Sequence, residues 1–191
     1  MKGTTILRIA VVTVLLLGVV TVLRPMAVYR LFHPTSRREV VERVFKDQGV
    51  FDAMMNSPHV TAQRLRSKSD GDRILLLTDR TLLTDYNREA PITLSAEQAQ
   101  QIKSLLQSPS SYLWDVTSCL PDYGVVYNFQ SGGHAVHVAF CFKCNIIGVF
   151  DGDNDASNSI NFTSQFNPMR GQMIALSKTL FPNDSEIQAL K

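Results

Sequence analysis

The stretch that decides the fold runs from Cys119 to Phe150 and reads CLPDYGVVYNFQSGGHAVHVAFCFKCNIIGVF. It holds all three cysteines of the chain and two of its four histidines. Four side chains that can bind zinc follow one another at intervals of three, four and three residues: His134, His137, Cys141 and Cys144. On an α-helix they would lie along one face and form a zinc site, whereas on a β-strand they would point to opposite faces.

The residue types between these positions favour the strand. Large apolar side chains alternate along one face: Val136, Val138, Phe140 and Phe142. The other face carries small or moderately polar side chains: Ala135, His137, Ala139 and Cys141. A strand without a plainly polar face is typical of the centre of a sheet. We therefore predict extended backbone over 134–144, with Cys141 as a buried thiol and His137 as a core histidine.

The three cysteines have three interpretations. In an oxidising compartment Cys119 can form a disulfide with Cys144 or Cys141, which leaves one buried thiol. Plain buried thiols are the second interpretation. The third is a zinc site of Cys119, Cys141, Cys144 and His137 or His134, which ranks last because one CxxC pair and one further cysteine are a weak zinc signal. Redox catalysis is disfavoured, since the CxxC pair ends a strand and does not begin a helix.

The N-terminal segment 6–23 is strongly apolar, and no charge lies between Arg8 and Arg24. We predict an uncleaved, single-pass signal anchor that contacts membrane lipid, because no small-x-small cleavage site follows. A cleaved secretory signal is the alternative. Residues 1–34 are then the anchor and a juxtamembrane linker, and 35–191 form one globular domain. Basic residues flank both ends of the segment, and we expect the domain on the extracytoplasmic side.

Local signals beyond the central stretch predict an α+β fold. Capping boxes begin helices at Ser36 and Ser95, and Asn167 followed by Pro168 begins a third helix. A hairpin is predicted from Val60–Lys68 and Arg73–Thr78. Further strands are predicted at Val125–Gln130, Ala135–Lys143, Ile146–Phe150 and Ser159–Phe162. Short links between these strands indicate an antiparallel β-meander, packed with helices near Ser95–Gln107 and Pro168–Leu180 and preceded by the transmembrane helix.

Two charged stretches have a structural and a functional interpretation. Arg64, Arg66 and Lys68 share one face of a strand, which favours a solvated edge strand over contact with anionic headgroups. Asp151–Ser157 places oxygen ligands at alternate positions, as a calcium loop does. Ala156 and Phe162 stand where the turn glycine and the bidentate acid belong, so a hairpin turn is favoured.

Composition excludes some function classes. A net charge of +2, from 19 basic and 17 acidic residues without a long basic run, argues against nucleic-acid binding. The sequence has no nucleophile elbow, dinucleotide or phosphate-binding glycine loop, or zinc-protease motif. We therefore predict no catalytic residue and no cofactor other than the alternative zinc ion.

The C-terminal half resembles a group of small, uncharacterised bacterial proteins that often carry an export or anchor segment. The resemblance rests on Cys119-x-Pro-x-Tyr123, Phe129, the run 138–144, and the end of the chain from Leu180 to Leu190. No activity comes with it. The sequence thus predicts a membrane-anchored, non-enzymatic structural or interaction domain of unknown ligand and protein partner. It is stabilised by a disulfide or a buried cysteine cluster, and a zinc-binding domain is the alternative.

Overall fold

Antiparallel strands form the centre of the molecule. The computed structural model describes residues 33–34, 36–68, 83, 86–114, 119, 121–152 and 165–191, and within them six strands form one sheet. The strands are β1 (His59–Ser67), β2 (Tyr86–Arg88), β3 (Ile92–Thr93), β4 (Val125–Ser131), β5 (His134–Cys141) and β6 (Ile146–Asp151). Their order is β2-β1-β4-β5-β6, and β3 also pairs with β1. Every pairing is antiparallel, so the predicted α+β class and the β4-β5-β6 meander are confirmed.

Strand β5 confirms the extended interpretation of the central stretch. It lies between β4 and β6, and Val138 pairs with Tyr127 on one side and Val149 on the other. Residues 142–145 form a turn in which Asn145 takes the left-handed conformation, with φ 57°. The helical four-ligand interpretation of His134, His137, Cys141 and Cys144 is wrong, because alternation separates His134 from His137 across the sheet.

The helices cover one face of the sheet. They are α1 (Arg37–Val40, continued by a π-helical turn Val41–Phe45), α2 (Gln48–Asn56), α3 (Ala96–Gln107), α4 (Arg170–Leu180) and α5 (Ser185–Gln188). The side chains of Ser36 and Ser95 accept hydrogen bonds from the backbone N–H of Glu39 and Gln98, as the capping boxes predict. The helix after Ser36 does not reach Gly49, since Lys46 adopts φ 65° and Asp47 caps a separate helix. A 3₁₀ turn (Asn167–Met169) delays the start of α4 to Arg170.

Each face of the sheet has its own core. On the helix face, strand residues such as Tyr127, Val138 and Val149 pack with buried side chains of the helices. The opposite face, which we call the second face, carries a smaller apolar cluster at one end: Leu65, Tyr86, Tyr123, Val126, Ala139, Cys141, Cys144, Ile146 and Phe150. The other end of the second face is polar.

Strand β1 corrects the interpretation of its basic residues. It is not an edge strand, because β4 pairs along one side of it and β2 and β3 pair with it as well. Arg64 is buried, with 6% of its surface exposed, and it binds the carboxylates of Asp184 and Glu186. Arg66 and Lys68 are exposed. A buried guanidinium bound to two acids is neither a solvated edge charge nor a headgroup contact.

Several predictions concern residues outside the described ranges. These are the anchor 6–23, the hairpin partner 73–78, the strand 159–162 and most of the calcium-like loop, of which only Asp151 and Gly152 are described. Among the described helices, none has the length and apolar character needed to span a membrane.

Candidate functional site

The cysteines lie where the loop before β4 meets the turn between β5 and β6. The Cα atoms of Cys119 and Cys144 are 5.8 Å apart and their sulfur atoms are at disulfide-bonding distance, so the pair is a disulfide. Cys141 is free and fully buried. Its sulfur accepts a hydrogen bond from the backbone N–H of Asp122 at 3.3 Å, and burial raises the pKa of its thiol. A buried, protonated thiol is a poor nucleophile.

The zinc candidates do not converge. Of the four, His137 hydrogen-bonds Asn128 and two cysteines pair with each other. Among the residues that the structure describes, which include all four candidates, no group of three or more His, Cys, Asp or Glu side chains is arranged to hold a metal ion.

A polar network occupies the second face beside this cysteine cluster. Thr61, Asn128 and His137 are direct cross-strand neighbours on β1, β4 and β5. The side-chain amide nitrogen of Asn128 donates to Thr61 Oγ1 at 3.2 Å and to Gln63 Oε1 at 3.0 Å. Asn128 Oδ1 lies 2.7 Å from His137 Nδ1. Asn128 and His137 are both buried, so each hydrogen bond offsets a desolvation cost that a lone polar group would leave uncompensated.

The direction of these hydrogen bonds is fixed by the backbone. Gln63 Nε2 donates to the carbonyl oxygen of Glu89 at 2.9 Å, and a carbonyl oxygen can only accept. The Oε1 atom of Gln63 is therefore the end that faces Asn128, which must present its amide N–H₂ to it. Asn128 Oδ1 is then an acceptor, and His137 must donate from Nδ1. Three side chains from three strands are thereby held in one orientation.

A pocket of about 410 Å³ opens beside this network. The network residues form its floor with the small side chain of Ala135, and its wall adds His59, Arg88, Pro91 and Gln130. His59, Pro91 and Gln130 are exposed, whereas Asn128 and His137 are buried. Rigid polar side chains beneath an open concavity are the arrangement of a small-molecule binding site.

A second cavity, of about 420 Å³, lies at the other end of β1, between the Asp122–Gly124 loop, Lys143 and α5. Arg64 forms part of its wall, but its guanidinium already binds Asp184 at 2.9 Å, Glu186, and the carbonyl oxygens of Leu65 and Gly124 at 2.7 Å each. Charged residues of both signs line this cavity, so its chemistry selects no ligand class. We interpret this region as the attachment of α5 to the sheet.

Sequence reasoning found the cysteine pair but missed the polar pocket. Asn128 interrupts the apolar run 125–129, and Thr61 and Gln63 alternate with Val60 and Ala62, so the polar positions were visible. Their convergence was not visible, because Thr61 and Asn128 are 67 residues apart in the chain.

Comparisons with known proteins give no match: no protein family fits the chain, and no curated protein and no solved structure is significantly similar to it. The resemblance to small bacterial proteins remains a prediction. The class that fold and site define is a disulfide-containing α+β domain with a polar pocket on one sheet face.

Proposed function

We propose that this chain is a membrane-anchored, non-enzymatic binding domain that faces the extracytoplasmic side and contacts its ligand through the polar pocket. The fixed hydrogen-bond network under the pocket carries this proposal. Seven polar side chains line the pocket, and the strands that bear them are otherwise rich in apolar residues. Such a network stabilises a fold only when every member is satisfied, so its placement beneath an opening favours recognition over packing.

The anchor and the location are supported by the sequence and the cysteines. The run 6–23 has the length and apolar character of a membrane helix. A disulfide between Cys119 and Cys144 favours an oxidising compartment. A reporter enzyme that is active only outside the cytoplasm, fused after Lys191, tests the orientation. We expect activity in the membrane fraction, and loss of both membrane association and reporter activity when 6–23 is deleted.

Binding at the pocket is tested by ligand-observed NMR with a panel of small carboxylates, phosphates, polyols and amines. We expect hits that shift the side-chain amide signals of Asn128 and Gln130 and that are lost in Asn128→Leu. Thr179→Val, a change at an exposed hydroxyl on α4, is the control that retains them. Hits that map elsewhere, or a panel without hits, would contradict the pocket as the functional site.

A zinc-binding domain is the second candidate. It is favoured by one observation: Cys141 and Cys144 lie on one tight turn that ends at the left-handed Asn145, with Cys119 packed against them. Metal analysis with thiol counting separates the two candidates. A disulfide domain shows one thiol when denatured, three after reduction, and no response to chelator. A zinc domain shows three thiols without reduction, one equivalent of metal, and loss of structure under chelator.

A further inference from the structure

The second face of the sheet carries positive but no negative side chains. The strand register assigns His59, Arg88 and His137 to this face, together with neutral and apolar residues. In the described strands, no aspartate or glutamate lies on it. Arginine keeps its charge at every pH at which proteins fold, so the pocket has one permanent positive charge in its wall.

The acids that border these strands are engaged on the helix face. Glu89 follows β2 directly, but its carboxylate binds Arg66 Nε at 3.0 Å. Asp151 ends β6 opposite Val136, and its carboxylate binds His134. Both partners lie on the helix face by the alternation of their strands. The separation of charge between the two faces is therefore a property of the register.

We propose that the polar pocket binds a small monocarboxylate, an inference that rests on the proposed binding function and names its ligand class. The guanidinium of Arg88 matches the planar geometry of a carboxylate. The amide of Gln130 and the hydroxyl of Thr61 lie in the same pocket and suit a hydroxyl substituent on the ligand. A phosphate group carries nearly two negative charges and is less well matched by one permanent cation.

The test compares lactate with lactamide, its uncharged analogue of the same shape. Titrations of the full chain in detergent micelles are followed by the side-chain amide signals of Asn128 and Gln130. We expect saturable shifts with lactate, and binding at least about tenfold weaker with lactamide, because a charge-assisted hydrogen bond is lost. Added salt should weaken lactate binding and leave lactamide unaffected.

Arg88→Gln and Arg38→Gln are the matched variants. Arg38 is an exposed arginine on α1 that pairs with Glu42, far in the fold from the pocket. We expect Arg88→Gln to bind lactate no better than lactamide, and Arg38→Gln to keep the full preference. Thermal melts of both variants confirm that they are folded.

Each other result has a separate meaning. Equal binding of lactate and lactamide at the mapped residues overturns the carboxylate inference and leaves the binding function standing. Tighter binding of inorganic phosphate than of lactate overturns the choice of carboxylate. No shift with any compound, here and in the wider panel, overturns both the inference and the proposed function.

Discussion

Arg64 shows how a single cation is made part of the core. The alternation of Val60 and Ala62 assigns position 64 to the helix face, where an apolar side chain is expected. The guanidinium lies there because Asp184 and Glu186 reach it from the end of the chain, and because the carbonyl oxygens of Leu65 and Gly124 accept its remaining hydrogen bonds. The inward-facing charge is therefore an attachment point for the C-terminal helix.

Replacing Arg64 by methionine should strongly destabilise the protein. The change leaves Asp184, whose side chain is only 8% exposed, without its buried partner. Removing one member of a buried ion pair costs roughly 3–5 kcal/mol. Urea denaturation followed by circular dichroism measures the loss. Arg38→Met, at a pair whose arginine side chain is 86% exposed, is the control and should leave the midpoint unchanged. A similar midpoint for both variants would refute the anchoring role.

Gly148 is required by the ring of Tyr123. A Cβ atom at position 148 would lie 2.3 Å from the Tyr123 hydroxyl oxygen and 2.7 Å from the ring carbon that bears it. We expect Gly148→Ala to lower the free energy of unfolding by about 1–3 kcal/mol, the usual cost of overpacking. At Gly171, in helix α4, an added Cβ meets no described heavy atom within 4 Å. Gly171→Ala should be neutral or raise stability by up to about 1 kcal/mol. Denaturant titrations of the pair test the contrast.

Helix α5 shows how a short element is held by its first residue. Asp184 accepts the N–H of Ile187 at 2.9 Å as an N-cap and binds both Arg64 and Arg66. Burial alone would raise the pKa of this carboxyl. The hydrogen bond from Ile187 and the two guanidinium groups outweigh burial, so the pKa lies below its usual value.

This lowered pKa predicts a specific acid sensitivity. The unfolded chain takes up the proton at the ordinary pKa of about 3.9, and the folded protein does so only at lower pH. The stabilisation from Asp184 is therefore complete well above pH about 4 and is lost as the pH falls toward the folded pKa. Asp184→Asn should show a shallower loss of stability than the parent between pH about 5 and 3. Parallel slopes in urea midpoints across this range would argue against the effect.

The disulfide joins two elements that are distant in the sheet's construction. Cys119 precedes β4, Cys144 lies in the turn from β5 to β6, and 25 residues separate them. Closing a loop of this length restricts the unfolded chain by about 3 kcal/mol in the loop-entropy model. We expect reduction to lower the free energy of unfolding by that order. Cys141→Ala, which keeps the disulfide, should show the same difference between oxidised and reduced protein. An unchanged midpoint on reduction would contradict a stabilising role.

At the scale of the whole molecule, local signals and long-range contacts divide what the sequence could predict. Turns at Ser131–Gly133, the caps at Ser36 and Ser95, and the alternation in β5 depend on neighbours within a few residues, and they were predicted correctly. The partner of Arg64 lies 120 residues away, and the polar network joins strands separated by more than half that distance. No local pattern encodes which strand lies beside β1, so the pocket emerges only when the sheet is assembled.

The helix-face core predicts the consequence of removing the N-terminal segment. Its buried members begin at Val40 and come from the described helices and strands. We therefore expect a chain that starts at residue 33 to unfold cooperatively, with the same urea midpoint as the full chain in detergent. A large drop in that midpoint would show that residues 1–32 contribute to the fold.

The carbonyl oxygen of Glu89 has a consequence for spectroscopy. Because it orients Gln63, which orients Asn128, it also selects which ring nitrogen of a neutral His137 carries the hydrogen. The tautomer of an imidazole on β5 is thus written by a main-chain atom just beyond β2, two strands across the sheet. The nitrogen chemical shifts of that ring therefore give a gauge of whether the far margin of the sheet is in place.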